Sequence, residues 1–476
     1  MLIRKIVWLL GVGLLAGAVF AAEPKGLPGE NPNPVHLIRP PVQPPSAMAK
    51  LGRELFFDTS LSSSGKIACA SCHSPDHAYG PPNDAPVMLG GAHLTSQGAR
   101  AVPSLTYLER QPEFSIGPDD PMNENVNVAQ QAEIGKSAVR VRKIATQTAQ
   151  NANIVPQGGL FWDGRADTLH IQAAGPLLDP REMDGGSMEA IAEKLRKGPY
   201  AQKFAGLFGP NILRDSRLLA SEALFAIGRY QIEEPSFHPY SSKYDYWLEG
   251  RARLSEAEMR GLALFNDPEK ANCAGCHTSA PTQEGYPPHF TDFQYEALGA
   301  PRNVGLADTG DPDYFDLGVC GPVRKDIAEQ TQFCGMFKTP TLRNTAVRHA
   351  FFHNGVFRTL QQVMDFYNFR DTNPEKIYPV GVDGKPRKYN DIPAQYHGNV
   401  DVSDPPFDRH PGEAPAMTAQ DEADIIAFLQ TLNDGYQPGV APARICEHVA
   451  TTAPTTTTRP DMTYQFPILS AARECQ

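Results

Sequence analysis

Two five-residue runs carry the chemistry of this chain: Cys69-Ala70-Ser71-Cys72-His73 and Cys273-Ala274-Gly275-Cys276-His277. In each, two thiols are spaced to add across the vinyl groups of one haem. The histidine that follows is placed to bind the iron from one side. A thioredoxin-like thiol pair or half of a zinc site would account for the cysteines alone. Neither accounts for the adjacent histidine, the duplication and an export signal together. The motifs predict two covalently bound c-type haems, held by Cys69, Cys72, Cys273 and Cys276, with His73 and His277 as iron ligands. Such a pair can simply pass electrons. Chemistry on a substrate needs an open iron with acid–base help beside it.

A second stretch, FHNGVFRTLQQVMDFYN (352–368), offers three further ligand types: His353, Met364 and Tyr367. Thr359 and Gln362 have the spacing of a capping box, which puts Met364 and Tyr367 on one helix face, a turn apart. His277 already takes one face of its iron, so His353 reads as a structural residue near the haems. The choice between the other two has consequences. A thioether is soft and neutral, favours Fe(II) and raises the potential. A phenolate is hard and anionic, and favours iron in its higher oxidation states.

These residues need elements to position them. LGRELFFD (51–58) precedes the first haem motif and RGLALFND (260–267) the second, about two hundred residues on, which indicates a duplicated domain. Each lies at the end of a helical pattern. Ser46 is the expected N-cap of the first, and Ser255 with Glu258 the capping box of the second. SRLLASEALFAIGRYQ (216–231) and TAQDEADIIAFLQTLND (418–434) read as closing helices of the two halves. Strand alternation is scarce, and 44 prolines and 40 glycines predict long connections. The expected fold is mainly α: two cytochrome c-like haem domains in tandem with long irregular loops. Their bounds are 47–250 and 251–440.

Around them, residues 1–21 read as a signal peptide, with Arg4 and Lys5 before an apolar run and cleavage after Ala21. The mature protein is expected in the periplasm, without a membrane span. Residues 22–46 form a proline-rich, extended lead-in, and 441–476 a flexible tail. Segments 110–157 and 378–415 read as inserted surface loops or small excursions. Cys320–Cys334 and Cys446–Cys475 are candidate disulfides in an oxidising compartment. A net charge of −11 over 476 residues argues against a nucleic-acid partner.

GGLFWDGRADTLHIQAAGPLLDPREM (158–183), FKTPTLRN (337–344) and FFHNG (351–355), with LGRELFFD and both haem motifs, resemble blocks of the bacterial di-haem cytochrome c peroxidase and MauG family. The resemblance spans about residues 47–434. It implies that hydrogen peroxide reacts at the haem of His73. It places a distal glutamate at Glu182, a distal glutamine at Gln172, a distal-side proline at Pro176 and an inter-haem tryptophan at Trp162. Asp163 and Arg165 are expected to fix the Trp162 loop by an ion pair. The second ligand of the His277 haem falls fourteen residues after His353, on Tyr367, as in the MauG-like members; Met364 is the rival, as in the peroxidases.

His93 precedes SQGARAVPSL at a spacing that resembles the peroxidases' labile distal histidine; an ordinary loop histidine is the alternative. The family's calcium is also an expectation, weakened because its asparagine ligand is replaced by Ala101 and its carbonyl positions fall on Arg348 and Ala350. Asn354 replaces the usual aspartate after His353. The function implied is MauG-like: peroxide-driven oxidation of a periplasmic protein or other partner, with the second haem storing or transferring oxidising equivalents. A cytochrome c peroxidase fed by a small cytochrome or cupredoxin is the alternative. A non-enzymatic di-haem electron carrier is the third reading.

Overall fold

The computed structural model describes residues 27–118 and 154–439. The signal segment, the tail with its Cys446–Cys475 pair, and residues 119–153 of the first insertion lie outside the described residues.

Two helix pairs organise the chain. Helix α1 (Ala47–Phe56) starts where Ser46 Oγ accepts the Ala49 amide at 3.1 Å. After α2 (Leu169–Leu178), α3 (Met188–Lys197) and α4 (Ala201–Phe208) comes α5 (Ser216–Glu233), capped by Asp215. Helices α1 and α5 pack so closely that a Cβ on Gly52 would stand 1.8 Å from the Ala226 carbonyl oxygen. The second half repeats the device. After α6 (Lys243–Leu248), α7 (Glu256–Phe265) opens with the Ser255/Glu258 capping box. Helix α8 (Leu360–Phe369) follows, then α9 (Ala419–Gln430) with a Thr418/Asp421 box. A Cβ on Gly261 would stand 1.9 Å from the Asp424 carbonyl oxygen. Gly52 and Gly261 occupy the same place in the LGRELFFD and RGLALFND echo. The echo therefore marks a glycine that lets each closing helix approach its partner's backbone.

Each pair carries its own apolar core. Leu51, Leu55, Phe56, Leu219, Ile227 and Phe237 belong to the first, and Tyr244, Phe265, Phe290, Ile425, Phe428 and Leu432 to the second. Among the described residues the strands are three short antiparallel pairs: β1 (Leu89–Gly90) with β2 (Ser96–Gln97), β3 (Ser115–Pro118) with β4 (Ile154–Gln157), and β5 (Tyr295–Glu296) with β6 (Phe337–Lys338). The fold is mainly α. Cys320 and Cys334 form a disulfide. Among the described residues, no helix is long and apolar enough to cross a membrane.

Three local readings change. The lead-in is extended but tied down: Leu37 is buried in the second core, Val35 donates to the Leu248 carbonyl, and Trp247 donates to that of Gly29. The segment 378–415 is more than a surface loop, because Tyr378, Tyr389, Ile392 and Val400 form a small buried core of their own. The Thr359 cap is half of the expected box: Thr359 accepts the Gln362 amide, while Gln362 Oε1 accepts from Arg358.

Candidate haem sites

The two motif histidines are held in the same way. His73 Nδ1 faces the Tyr79 carbonyl at 3.0 Å, and His277 Nδ1 faces the Phe290 carbonyl at 2.9 Å. A carbonyl can only accept, so Nδ1 carries the proton and Nε2 keeps its lone pair for a metal. Burial pushes both imidazoles down to about 4, which keeps them neutral. Tyr79 (φ 52°) and Phe290 (φ 55°) both sit in the left-handed region that bulky residues avoid. Packing enforces this: Tyr79 stacks on Phe237 with ring centroids 3.6 Å apart, and Phe290 is fully buried.

The support behind these carbonyls is duplicated too. Ser104 Oγ donates to the Ala78 carbonyl and Thr341 Oγ1 to that of His289, both at 2.6 Å. The amides of Leu105 and Leu342 reach the Tyr79 and Phe290 carbonyls at 3.2 and 3.3 Å. Sequence reasoning missed this second echo, although Pro103-Ser104-Leu105 and Pro340-Thr341-Leu342 display it. The four motif cysteines stand half-buried beside their histidines. Paired thiols, an adjacent histidine with a free Nε2 and apolar surroundings together fit a c-type haem at each motif.

Beside the second motif lies a cavity of about 410 Å³. Cys273, Cys276 and His277 line it, as do Met364 and Tyr367 from α8. Trp162 and Gln172 also lie on its wall. Tyr367 stacks on Phe407 and lies in the field of Cys276 and Cys273. Burial first, and those thiols second, push its phenol up from the ordinary value. Among the described residues no hydrogen bond holds its hydroxyl. Met364, one turn earlier, is buried in the second core.

Glu182 does not stand at a helix N-terminus, the ordinary structural setting for such an acid. It sits in the turn after α2, where its amide donates to Asp179 O at 3.0 Å. Burial and then the Asp179 charge raise it to about 7, and its own field reaches the Cys72 thiol. Gln172 is buried on α2, the helix that leads into this turn. The β1–β2 hairpin lies against the turn: Gly91 donates to the Glu182 carbonyl at 2.7 Å, and a Cβ on Gly90 would meet that oxygen at 2.4 Å. His93 lies between the two strands of this hairpin and is exposed.

Trp162 Nε1 donates to the Ala101 carbonyl at 2.8 Å, and the Ala101 amide donates to the His353 carbonyl at 2.7 Å. The expected Asp163–Arg165 pair forms at 2.8 Å, but Asp163 is fully buried and also binds Arg100 at 2.7 Å. Arg100 in turn grips Asp316 through two nitrogens. His353 stacks on Phe337 at 3.6 Å, and its Nε2 lies 3.4 Å from Asp391, which comes from the 378–415 segment.

Two histidines, each with a thiol pair and a carbonyl behind it, on a duplicated helical frame define a di-haem c-type protein. The comparisons narrow this. A family model described as di-haem cytochrome c peroxidase matches residues 46–253. The methylamine utilization protein MauG of Paracoccus denitrificans is 30% identical over 413 residues, 84% of this chain and 92% of its own. The cytochrome c551 peroxidase of Nitrosomonas europaea is 28% identical over 367 residues, 76% and 84% of the two chains. Among solved structures, the diheme peroxidase BthA of Burkholderia thailandensis is 35% identical, with a TM-score of 0.70 over 87% of this chain and 96% of its own. The chain belongs to the di-haem cytochrome c peroxidase and MauG family. It is a di-haem oxidoreductase with two c-type haems.

Proposed function

We propose that this protein is an exported, periplasmic oxidoreductase that takes up hydrogen peroxide at the His73 site. Oxidising equivalents then pass through the His277 site to a periplasmic protein or another partner. Tyr367 carries the reading. It presents a phenol with no hydrogen bond among the described residues to the cavity of the second motif, where burial opposes its ionisation. His277 and Tyr367, which line that cavity together, would hold a haem iron between them, and its charge would favour the phenolate. Met364 has no comparable need, being packed in the core as an ordinary apolar side chain.

Cys69, Cys72 and His73 would hold a haem, which when bound would supply the redox chemistry for peroxide. Glu182 takes a proton from one peroxide oxygen and returns it to the other as the O–O bond separates. With its carboxyl at about 7, it is suited to both halves of that transfer near neutral pH. Gln172 orients peroxide from α2. Trp162, its indole tethered to Ala101, relays electrons between the haem-bearing halves, 47–250 and 251–440. His93, exposed on a hairpin fastened to the Glu182 turn, leaves that side to Glu182.

A Tyr367→Met variant tests the assignment. It should change the spectrum of the His277 haem, raise its potential and leave the other haem as it was. An unchanged His277 haem spectrum would mean that Tyr367 is not a ligand.

A further inference from the structure

The family's calcium, expected through an asparagine side chain and two backbone carbonyls at positions 101, 348 and 350, does not fit the residues found here. Ala101 offers no side-chain oxygen, and its carbonyl already accepts Trp162 Nε1 at 2.8 Å. The Ala350 carbonyl faces Arg348 Nη2 at 3.3 Å, and the same nitrogen donates to the Val102 carbonyl at 2.9 Å. A guanidinium in that place repels a divalent cation and takes up one of the two carbonyls that would bind it.

We propose that Arg348 is the resident cation of this junction, so that the chain joins its two haem-bearing halves without calcium. The partners of Arg348 are those of a cation site: its guanidinium donates to two backbone carbonyls, those of Val102 and Ala350. It lies on the wall of the cavity, and burial lowers it only to about 10, so it stays charged at neutral pH. Its Nη1 would be 3.5 Å from a Cβ on Gly80, which closes the turn whose Tyr79 carbonyl holds His73.

From that turn the side chain reaches Val102 and Ala350. The Ala101–Val102 segment is thereby held on three sides. Trp162 binds the Ala101 carbonyl, the Ala101 amide donates to the His353 carbonyl, and Arg348 binds the Val102 carbonyl. One side chain thus ties the first haem turn, the segment that holds the indole and the segment leading to His353. That reach across both halves is what an inter-domain metal would otherwise supply.

The test uses the purified holo-protein. Elemental analysis after exposure to calcium should find far less than one calcium per chain. A calcium chelator should leave both haem spectra and the thermal midpoint unchanged, because an ion that binds the folded state would raise that midpoint. Arg348→Ala should lower the midpoint and shift the haem spectra, with the chelator still inert on the native protein. One tightly held calcium in the native protein, whose removal shifts the spectra, would overturn the proposal. So would an Arg348→Ala variant with native spectra and midpoint.

Discussion

Replacing Glu182 by glutamine removes a group that takes and gives a proton while keeping the shape of the turn. The turn itself is held by the main chain, through Glu182 N to Asp179 O, Met183 N to Pro176 O, and Gly91 N to Glu182 O. Folding and haem attachment should therefore survive. General acid–base catalysis by a placed carboxylate contributes about 10²–10⁴-fold, so the peroxide step should slow by that range. The native pH profile gives an independent handle. Burial and Asp179 place the carboxyl at about 7. The raised value means that the base form is lost below neutrality and present above it. At pH 6 about a tenth of the molecules carry the carboxylate and at pH 8 about nine tenths, so the native rate should be about tenfold lower at pH 6. Stopped-flow mixing of the holo-protein with limiting peroxide, read at the haem bands, measures both. In Glu182→Gln the rate should be low and flat across that window. A variant that kept the native rate, or kept the step near neutrality, would refute Glu182 as the acid–base group.

Gly52→Ala and Gly261→Ala each drive a methyl into a carbonyl oxygen of the partner helix. Either should cost about 1–3 kcal/mol in chemical denaturation of the holo-protein, whereas Gly206→Ala, inside α4 with open space around it, should stabilise by about 0.5–1 kcal/mol. Removing the Cys320–Cys334 bridge, whose cysteines are 14 residues apart, by Cys320→Ser and Cys334→Ser together should cost about 3 kcal/mol by loop closure, with both haem spectra retained. Met364→Leu should leave the His277 haem spectrum unchanged, because the side chain is packed as core; a changed axial-ligand signature would restore Met364 as the ligand.

Legibility in the sequence followed how local the cause was. The haem motifs are readable because covalent attachment demands those residue types at that spacing. The Ser46 and Ser255 caps are readable because a cap is a contact across three residues. Gly52 and Gly261 were visible as repeated letters, but their reason, a partner backbone under 2 Å from an added Cβ, exists only in the packed pair. The left-handed Tyr79 and Phe290 carry no local signal, since tertiary packing imposes a conformation that their own preferences oppose. Arg348 was read only as a backbone position. Its side chain matters because Val102, distant in the chain, brings a carbonyl to it. Asp391 beside His353 was equally hidden, since it comes from a segment that read as an excursion.

The anaerobic reaction of the purified holo-protein with one equivalent of peroxide, without any reductant, tests the central claim most directly. With Tyr367 on the second iron, both haem spectra should change together from the resting ferric state. The new form should persist until a reducing partner is added. A resting protein inert to peroxide until given one electron, and then turning over rapidly with reduced cytochrome c, would contradict the account.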